Sequence, residues 1–285
     1  MRIRKSDQKY TGFKFEGTTF VFARVPFGLK NSSAALVRCL GEIIQNKYQD
    51  NVTIYVDDVI IATKTFERHV EILKSLFQLF IDNNVVLNIE KSNFCVEKVK
   101  FLGYEINSQG VKMCKENIEQ IEKMPRPKNI KQLRGFLGAL GYYNRFFKNY
   151  ANSVGPLYEL LKKNKKWEWT AEHEAVFRNV KEKFKKAIML SHPDFDQRFH
   201  IQTDSSGFGL GAILYQKDEE SGEEKIIALA SRILQGPEKA YSTTLKEALA
   251  IIFALEKFRV CTRQAFYNNH GPPSVNIFEK MSFKQ

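Results

Sequence analysis

Cysteine is scarce in this 285-residue chain: Cys39, Cys95, Cys114 and Cys261 are the only four, and no two form a C-x-x-C pair. That spacing offers neither a metal-ligand set nor a disulfide framework. No apolar run approaches the roughly 20 residues that a membrane-spanning helix needs. Residues 1–20 are basic and aromatic, without the apolar stretch of a secretion signal. These absences predict an intracellular, reduced protein with no membrane partner. Acidic residues are in deficit, with 32 Asp and Glu against 44 Lys and Arg. A hydrophobic content of 43% and a charged content of 27% are those of a soluble globular chain, long enough for two cores.

The excess of positive charge is local. Residues 1–110 hold 15 basic and 12 acidic side chains, residues 111–166 hold 13 and 4, and residues 167–285 hold 16 of each. Most of the net +12 therefore lies in one short segment. A concentrated positive field suits a polyanion that releases counterions on binding, so nucleic acid is the expected partner.

Periodicity gives a mixed order of elements. Phe13, Phe15, Phe20, Phe22 and Val25 alternate about Gly17, which predicts a hairpin. After the loop Pro26-Phe27-Gly28-Leu29-Lys30-Asn31, a capped helix is expected to run to about Tyr48, with a second over 65–83. Strands are expected at 85–88 and 100–107. From Glu116 the pattern turns helical, broken at Pro125-Arg126-Pro127 and resumed from Asn129. Gly135, Gly138 and Gly141 recur on that helix at up to about 1 kcal/mol each, which implies close approach of another backbone, either a packed helix or nucleic acid. A helix to about Ala187, strands at 200–204, 210–215 and 226–231, and a helix over 242–258 follow. The run Asn268-Asn269-His270-Gly271-Pro272-Pro273 reads as loop, and no core is expected beyond Arg259. The fold class is α+β, sheets backed by helices.

One dipeptide stands out. Asp57-Asp58 lies between the apolar runs Val52-Thr53-Ile54 and Val59-Ile60-Ile61-Ala62, so two like charges are expected to form the two-residue turn of a hairpin. Adjacent carboxylates repel unless water or a cation screens them, and a divalent metal is the natural compensation. Asp204 ends a strand and Glu247 lies on the later helix, a second acidic pair in an α/β setting.

In order along the chain stand Pro26-Phe27-Gly28-Leu29-Lys30-Asn31, Tyr55-Val56-Asp57-Asp58, Leu87-Asn88-Ile89-Glu90-Lys91, Phe101-Leu102-Gly103, and Phe136-Leu137-Gly138 with Tyr142-Tyr143. Thr203-Asp204-Ser205-Ser206 and Tyr241-Ser242-Thr243-Thr244 follow. This series closely resembles the Pol polyprotein of gypsy-type LTR retrotransposons, from residue 1 to about 259. The resemblance implies a partial reverse transcriptase palm over 1–110, a basic helical thumb over 111–166, an RNase H-like α/β domain over 167–259 and a divergent tail over 260–285. It implies RNA-directed DNA polymerase and RNase H activity with Mg²⁺ or Mn²⁺. Its substrates would be deoxynucleotides, an RNA or DNA template–primer and an RNA–DNA hybrid.

By the same resemblance, Asp57 and Asp58 are catalytic metal ligands of the polymerase, and Asp204 and Glu247 those of the nuclease. Tyr55, Val56, Phe27, Gly28 and Lys91 would bind substrate, and Phe101, Leu102 and Gly103 would form the primer grip. Arg134, Arg145 and Lys148 would meet the nucleic-acid backbone. Other Pol or Gag segments are implied partners, in the cytoplasm, a virus-like particle or the nucleus. The family carries a further polymerase aspartate on a strand before the segment matching Met1–Arg4, and the chain is expected to begin too late to hold it. Past Glu247 there is no aspartate, only Glu256 and Glu279 as acids, and the match is expected to fail from Val260. Both carboxylate sites are thus expected to be incomplete, leaving an impaired enzyme or, as the alternative, a non-catalytic nucleic-acid-binding remnant.

Overall fold

Hydroxyl and amide side chains fix where the principal helices begin, by accepting backbone N–H groups that have no partner within the helix. Thr65 accepts from Arg68, Asn129 from Gln132, and Thr170 from His173. The computed structural model in which these caps are seen describes residues 1–44, 48, 50–163, 165–218, 221–270 and 281–284. The chain divides into two compact units, Met1–Val96 and Glu97–Gln285.

In the first unit, β1 (Phe13–Phe15) and β2 (Thr18–Phe20) form the expected hairpin about Gly17. Its phenylalanines stay partly exposed, and Phe13 stacks on Phe20 at 5.8 Å. α1 (Ser32–Ile44), β3 (Val52–Tyr55), β4 (Asp58–Ile61) and α2 (Phe66–Asp82) follow. Of the predicted extension of α1 towards Tyr48, residues 45–47 lie outside those described. Ile72, Leu76 and Phe80 repeat every fourth residue of α2 and meet Leu40 and Ile44 of α1 and Val52 of β3. Each such side chain contributes about 1.5–3 kcal/mol through burial. The strand expected over 85–88 does not form. Asn88 caps a short 3-10 turn, Ile89–Lys91, through its own side chain, and this local hydrogen bond competes with strand pairing.

The second unit begins with a meander of β5 (Lys98–Phe101), β6 (Tyr104–Asn107) and β7 (Gly110–Met113). The stretch 100–107, expected as one strand, is a hairpin because Leu102 and Gly103 both adopt positive φ. Four helices follow, α3 (Lys115–Lys123), α4 (Ile130–Tyr142), α5 (Tyr150–Glu159) and α6 (Ala171–Lys185). β8 (Leu190–Ser191) returns to pair with β7. The remaining elements are β9 (Phe199–Ser205), β10 (Gly209–Lys217), β11 (Glu224–Ile233), α7 (Thr243–His270) and β12 (Met281–Lys284). Their sheet has the order β11-β10-β9-β12, antiparallel except for the parallel pair of β12 with β9.

One core serves the helices and both sheets of this unit. Leu133, Leu140, Val154, Phe184, Leu190 and Leu229 bring together α4, α5, α6, β8 and β11. The opposite face of the β9–β11 sheet is covered by Ala250, Phe253, Ala254 and Phe258 of α7.

The tail departs from expectation. Residues 268–270 are helical, and α7 runs to His270 because no Gly or Pro interrupts the chain from Thr243 until Gly271. Beyond Arg259, where no core was expected, β12 adds a fourth strand to the sheet. The Gly271-Pro272-Pro273 part of the predicted loop lies outside the described residues.

The pairing of β7 with β8 depends on a missing side chain. A Cβ at Gly110 would stand 2.0 Å from the Leu190 carbonyl oxygen, and backbone on both sides leaves nothing flexible to yield. Gly110→Ala is therefore expected to destabilise the chain by about 2–4 kcal/mol. A urea-melt midpoint equal to that of the parent would show that this contact does not form.

Candidate active sites and nucleic-acid surface

The acidic turn sits one residue away from its predicted place. Tyr55 pairs with Asp58, so the two-residue link of the β3–β4 hairpin is Val56-Asp57, and Asp58 is the first residue of β4. Val56 takes φ 56°, a region that a β-branched side chain occupies at a cost of about 1–2 kcal/mol. Asp57 and Asp58 are both exposed, as is Tyr55. Val56 shares an open groove of about 640 Å³ with Asn31, Ser33, Val37 and Arg38 at the start of α1. Arg38 was not foreseen from the sequence; its place four residues before Glu42 reads as an ordinary helix-surface charge.

Phe27 and Gly28, expected in the nucleotide pocket, do not line that groove. Phe27 is fully exposed and Gly28 adopts φ 88°. Lys91 ends the 3-10 turn capped by Asn88 and is exposed, with no ion pair to either aspartate among the described residues.

In the second unit the pleat separates the other acidic pair. Asp204 pairs with Gly211 and shares a sheet face with Gln202, lining a cavity of about 220 Å³ with Lys148, Asn149 and Ile213. Ser205 points to the α7 face, where its hydroxyl donates to Glu247 Oε1 at 2.5 Å. β12 lies beside β9 with Lys284 opposite Gln202, and Met281-Ser282-Phe283-Lys284 contains no acid. Among the described residues, no three His, Cys, Asp or Glu side chains converge on a point that could hold a metal. The described residues thus do not assemble a two-metal site.

The Phe101–Tyr104 turn is held by α4. Leu102 and Gly103 have φ of 51° and 78°, a type I′ pattern that favours Asn-Gly and strains leucine. The Tyr142 hydroxyl donates to the Leu102 carbonyl at 2.9 Å, and the Asn117 amide donates to the Gly103 carbonyl at 3.1 Å. Tyr142 stacks on Tyr104 at 5.6 Å, with the Arg145 guanidinium over the other part of that cluster, 5.8 Å from the Tyr104 ring. Burial, reinforced by the neighbouring Tyr142 hydroxyl, pushes the Tyr104 phenol well above its ordinary value. Sequence reasoning named Phe101, Leu102 and Gly103 but not Tyr142, Tyr143 or Asn117 as their supports.

α4 buries Leu133, Phe136, Leu137 and Leu140 and turns its glycines outward. Among the described residues, a Cβ built at Gly135, Gly138 or Gly141 would meet nothing within 4 Å, so no described helix of the second unit packs against them. Lys131 and Arg134 stand exposed on this helix with no ion pair among the described residues, whereas Lys112, Lys123 and Lys162 of the basic segment pair with Glu105, Glu119 and Glu159. Lys148 lies beyond the helix, in the corner beside Asp204. Gly138→Ala is expected to raise stability by up to about 1 kcal/mol, since helix propensity improves and no contact is strained. A lowered melting midpoint would show that something covers this face.

The reverse transcriptase (RNA-dependent DNA polymerase) family model matches residues 1–106, and the model for the RNase H-like domain found in reverse transcriptase matches 169–267. The second match continues past 259, where the resemblance was expected to stop. The retrovirus-related Pol polyprotein from transposon opus of Drosophila melanogaster is 31% identical over 95% of the chain and 28% of its own length. The corresponding polyprotein from transposon gypsy of the same fly is 31% identical over 97% of the chain and 27% of its own length. The Tf2-3 polyprotein of Schizosaccharomyces pombe is 30% identical over 91% of the chain and 19% of its own length. The chain thus spans less than a third of these relatives. Among solved structures, the foamy viral protease-reverse transcriptase with RNA/DNA hybrid aligns at TM-score 0.76 and 25% identity, over 90% of the chain and 35% of that protein. Its dRH form with double-stranded DNA aligns at TM-score 0.81 and 22% identity, over 99% and 54%, a likeness of fold.

Proposed function

The chain belongs to the reverse transcriptase and RNase H-like family carried by gypsy-type retrotransposon Pol polyproteins, and from that premise we propose that it binds template–primer duplexes through α4 and the Leu102–Gly103 turn. By family it is an RNA-directed DNA polymerase with RNase H. The observation that carries the reading is the open, glycine-lined face of α4 with Lys131 and Arg134 unpaired on the same helix. A duplex backbone can approach closely where no Cβ projects, and free cations there release counterions instead of breaking existing ion pairs. The foamy viral complexes with RNA/DNA hybrid and double-stranded DNA support this class of ligand.

Families of this kind use divalent metals. Asp57 and Asp58 would be this chain's turn ligands to Mg²⁺ or Mn²⁺, and by the family's pattern Tyr55, Val56, Phe27, Gly28 and Lys91 would meet the nucleotide substrate. Asp204 and Glu247 are the nuclease counterparts. Two carboxylates on a solvated turn hold a divalent ion weakly, because hard cations are satisfied by six or more oxygens. Binding of nucleic acid without efficient catalysis is accordingly the reading favoured for the chain by itself.

Fluorescence anisotropy with a labelled RNA–DNA hybrid tests the binding. Affinity is expected to fall steeply with salt. Reversing Lys131 and Arg134 to glutamate is expected to weaken binding at least tenfold and flatten the salt dependence, while Asp57→Asn in EDTA changes nothing. Unchanged affinity after both reversals would remove α4 from the interface. Primer extension on an RNA template with Mg²⁺ is expected to give little or no product. Robust deoxynucleotide-dependent extension abolished by Asp57→Asn would overturn the non-catalytic reading. Gly138→Leu adds a side chain to the open face and is expected to weaken hybrid binding without lowering the unfolding free energy by more than about 1 kcal/mol in a urea melt.

A further inference from the structure

We propose that Tyr142 and Tyr143 are positioning residues that hold the strained Leu102–Gly103 turn in register with α4, so that turn and helix meet a duplex as one rigid surface. The inference rests on the binding role proposed above and adds the device that makes it rigid.

Leucine is a poor occupant of φ 51°, and alone a turn of this kind would relax to conformations with Leu102 at negative φ. One hydrogen bond and one close contact oppose that. Tyr142 donates to the Leu102 carbonyl at 2.9 Å, from 40 residues further along the chain. The Tyr143 hydroxyl stands 2.7 Å from where a Cβ at position 103 would project, so the space vacated by glycine is filled by that phenol. Neither ring can move freely. Tyr142 is stacked almost flat on Tyr104, at 5.6 Å and 7°, and Tyr143 meets Tyr142 edge-on at 4.8 Å. Tyr104 is itself the residue that closes the turn by pairing with Phe101. Turn, stack and helix end thus form a closed loop of contacts.

Tyr142 is half exposed, so its hydroxyl contributes little to the core. A hydroxyl aimed at a backbone carbonyl in a strained turn changes instead how often the turn is in its binding conformation. Apparent affinity falls in proportion to that population.

Tyr142→Phe keeps the stacked ring and removes its hydroxyl, and with it the bond to the Leu102 carbonyl and the polar contact with the Tyr104 phenol. The probe is a fluorescein-labelled DNA primer annealed to an RNA template, read by anisotropy. Amide hydrogen exchange of residues 101–104 is read by NMR on the same proteins without nucleic acid. The variant is expected to bind roughly threefold to tenfold more weakly, with exchange at the turn faster by a similar factor and an unchanged melting midpoint. Tyr143→Phe serves as a second, independent variant with the same direction of effect. Adding Leu102→Asn to Tyr142→Phe creates the Asn-Gly pair that favours this turn and is expected to restore exchange at the turn to within about twofold of the parent. Unchanged exchange in Tyr142→Phe overturns the proposal. So does a double variant whose turn exchanges as fast as that of Tyr142→Phe, and so does parental duplex affinity in a Tyr142→Phe chain whose turn exchanges faster. If the parent chain fails to bind the duplex, the proposed function falls, and the exchange measurement still decides whether the lock exists.

Discussion

Burial of one stripe of α4 governs what the second unit can present. Leu133 and Leu140 are wholly inaccessible, and Phe136 and Leu137 nearly so. Pinning that stripe fixes the rotation of the helix about its axis, and the rotation decides that the glycines and the unpaired Lys131 and Arg134 look outward. It also delivers the last turn of α4, with Tyr142 and Tyr143, to the Leu102–Gly103 turn. The same core holds α5 against the β9–β11 sheet, where Gly209 lets Ala151 come close and Ser231 accepts the Ala151 N–H at 2.8 Å. Rotating the helix to bury its glycines would forfeit several side chains' worth of hydrophobic free energy, far more than the glycines cost in propensity.

Three hairpin turns carry strain of one kind, at Glu16, Val56 and Leu102. Val56 and Leu102 both occupy positive φ, where only glycine and asparagine are comfortable, and each flanks a residue expected to act on the substrate. At Leu102 the opposing contacts are visible, from Tyr142, Tyr143 and Asn117. At Val56 the register of the β3–β4 hairpin holds the turn, since Thr53–Tyr55 pair residue for residue with Asp58–Ile60. Outliers of this kind persist only where the surroundings over-determine them, which is why they gather at sites that must keep one shape.

The acidic residues follow a different logic. Asp204 and Ser205 are neighbours in sequence but face opposite sides of the sheet. Glu247 answers Ser205, while Asp204 looks toward the corner that holds Lys148. With no acid on β12, the sheet gathers charge of mixed sign where a nuclease would concentrate carboxylates. A surface of that kind can still lie along a nucleic acid, because backbone contact asks only for donors and cations in the right places.

Much of this was legible in the residues. Cap residues and apolar spacing located α2, α3, α4 and α6 to within a few positions, because those signals are local and the helices obey them. The ordered motifs identified the family, and the charge count pointed to the basic helices. Other features were closed to sequence reasoning because they depend on contacts between distant residues. The shift of the acidic turn by one residue is set by strand register, the loss of the strand at 85–88 by the competing Asn88 cap, and the hairpin at 102–103 by tyrosines some 40 residues away. Whether three glycines mean a packed helix or an open face depends on what lies opposite them, and only the folded chain supplies that. Composition pointed to the kind of partner; tertiary packing decided which surfaces are open to one, because burying one side of each element is what exposes the other.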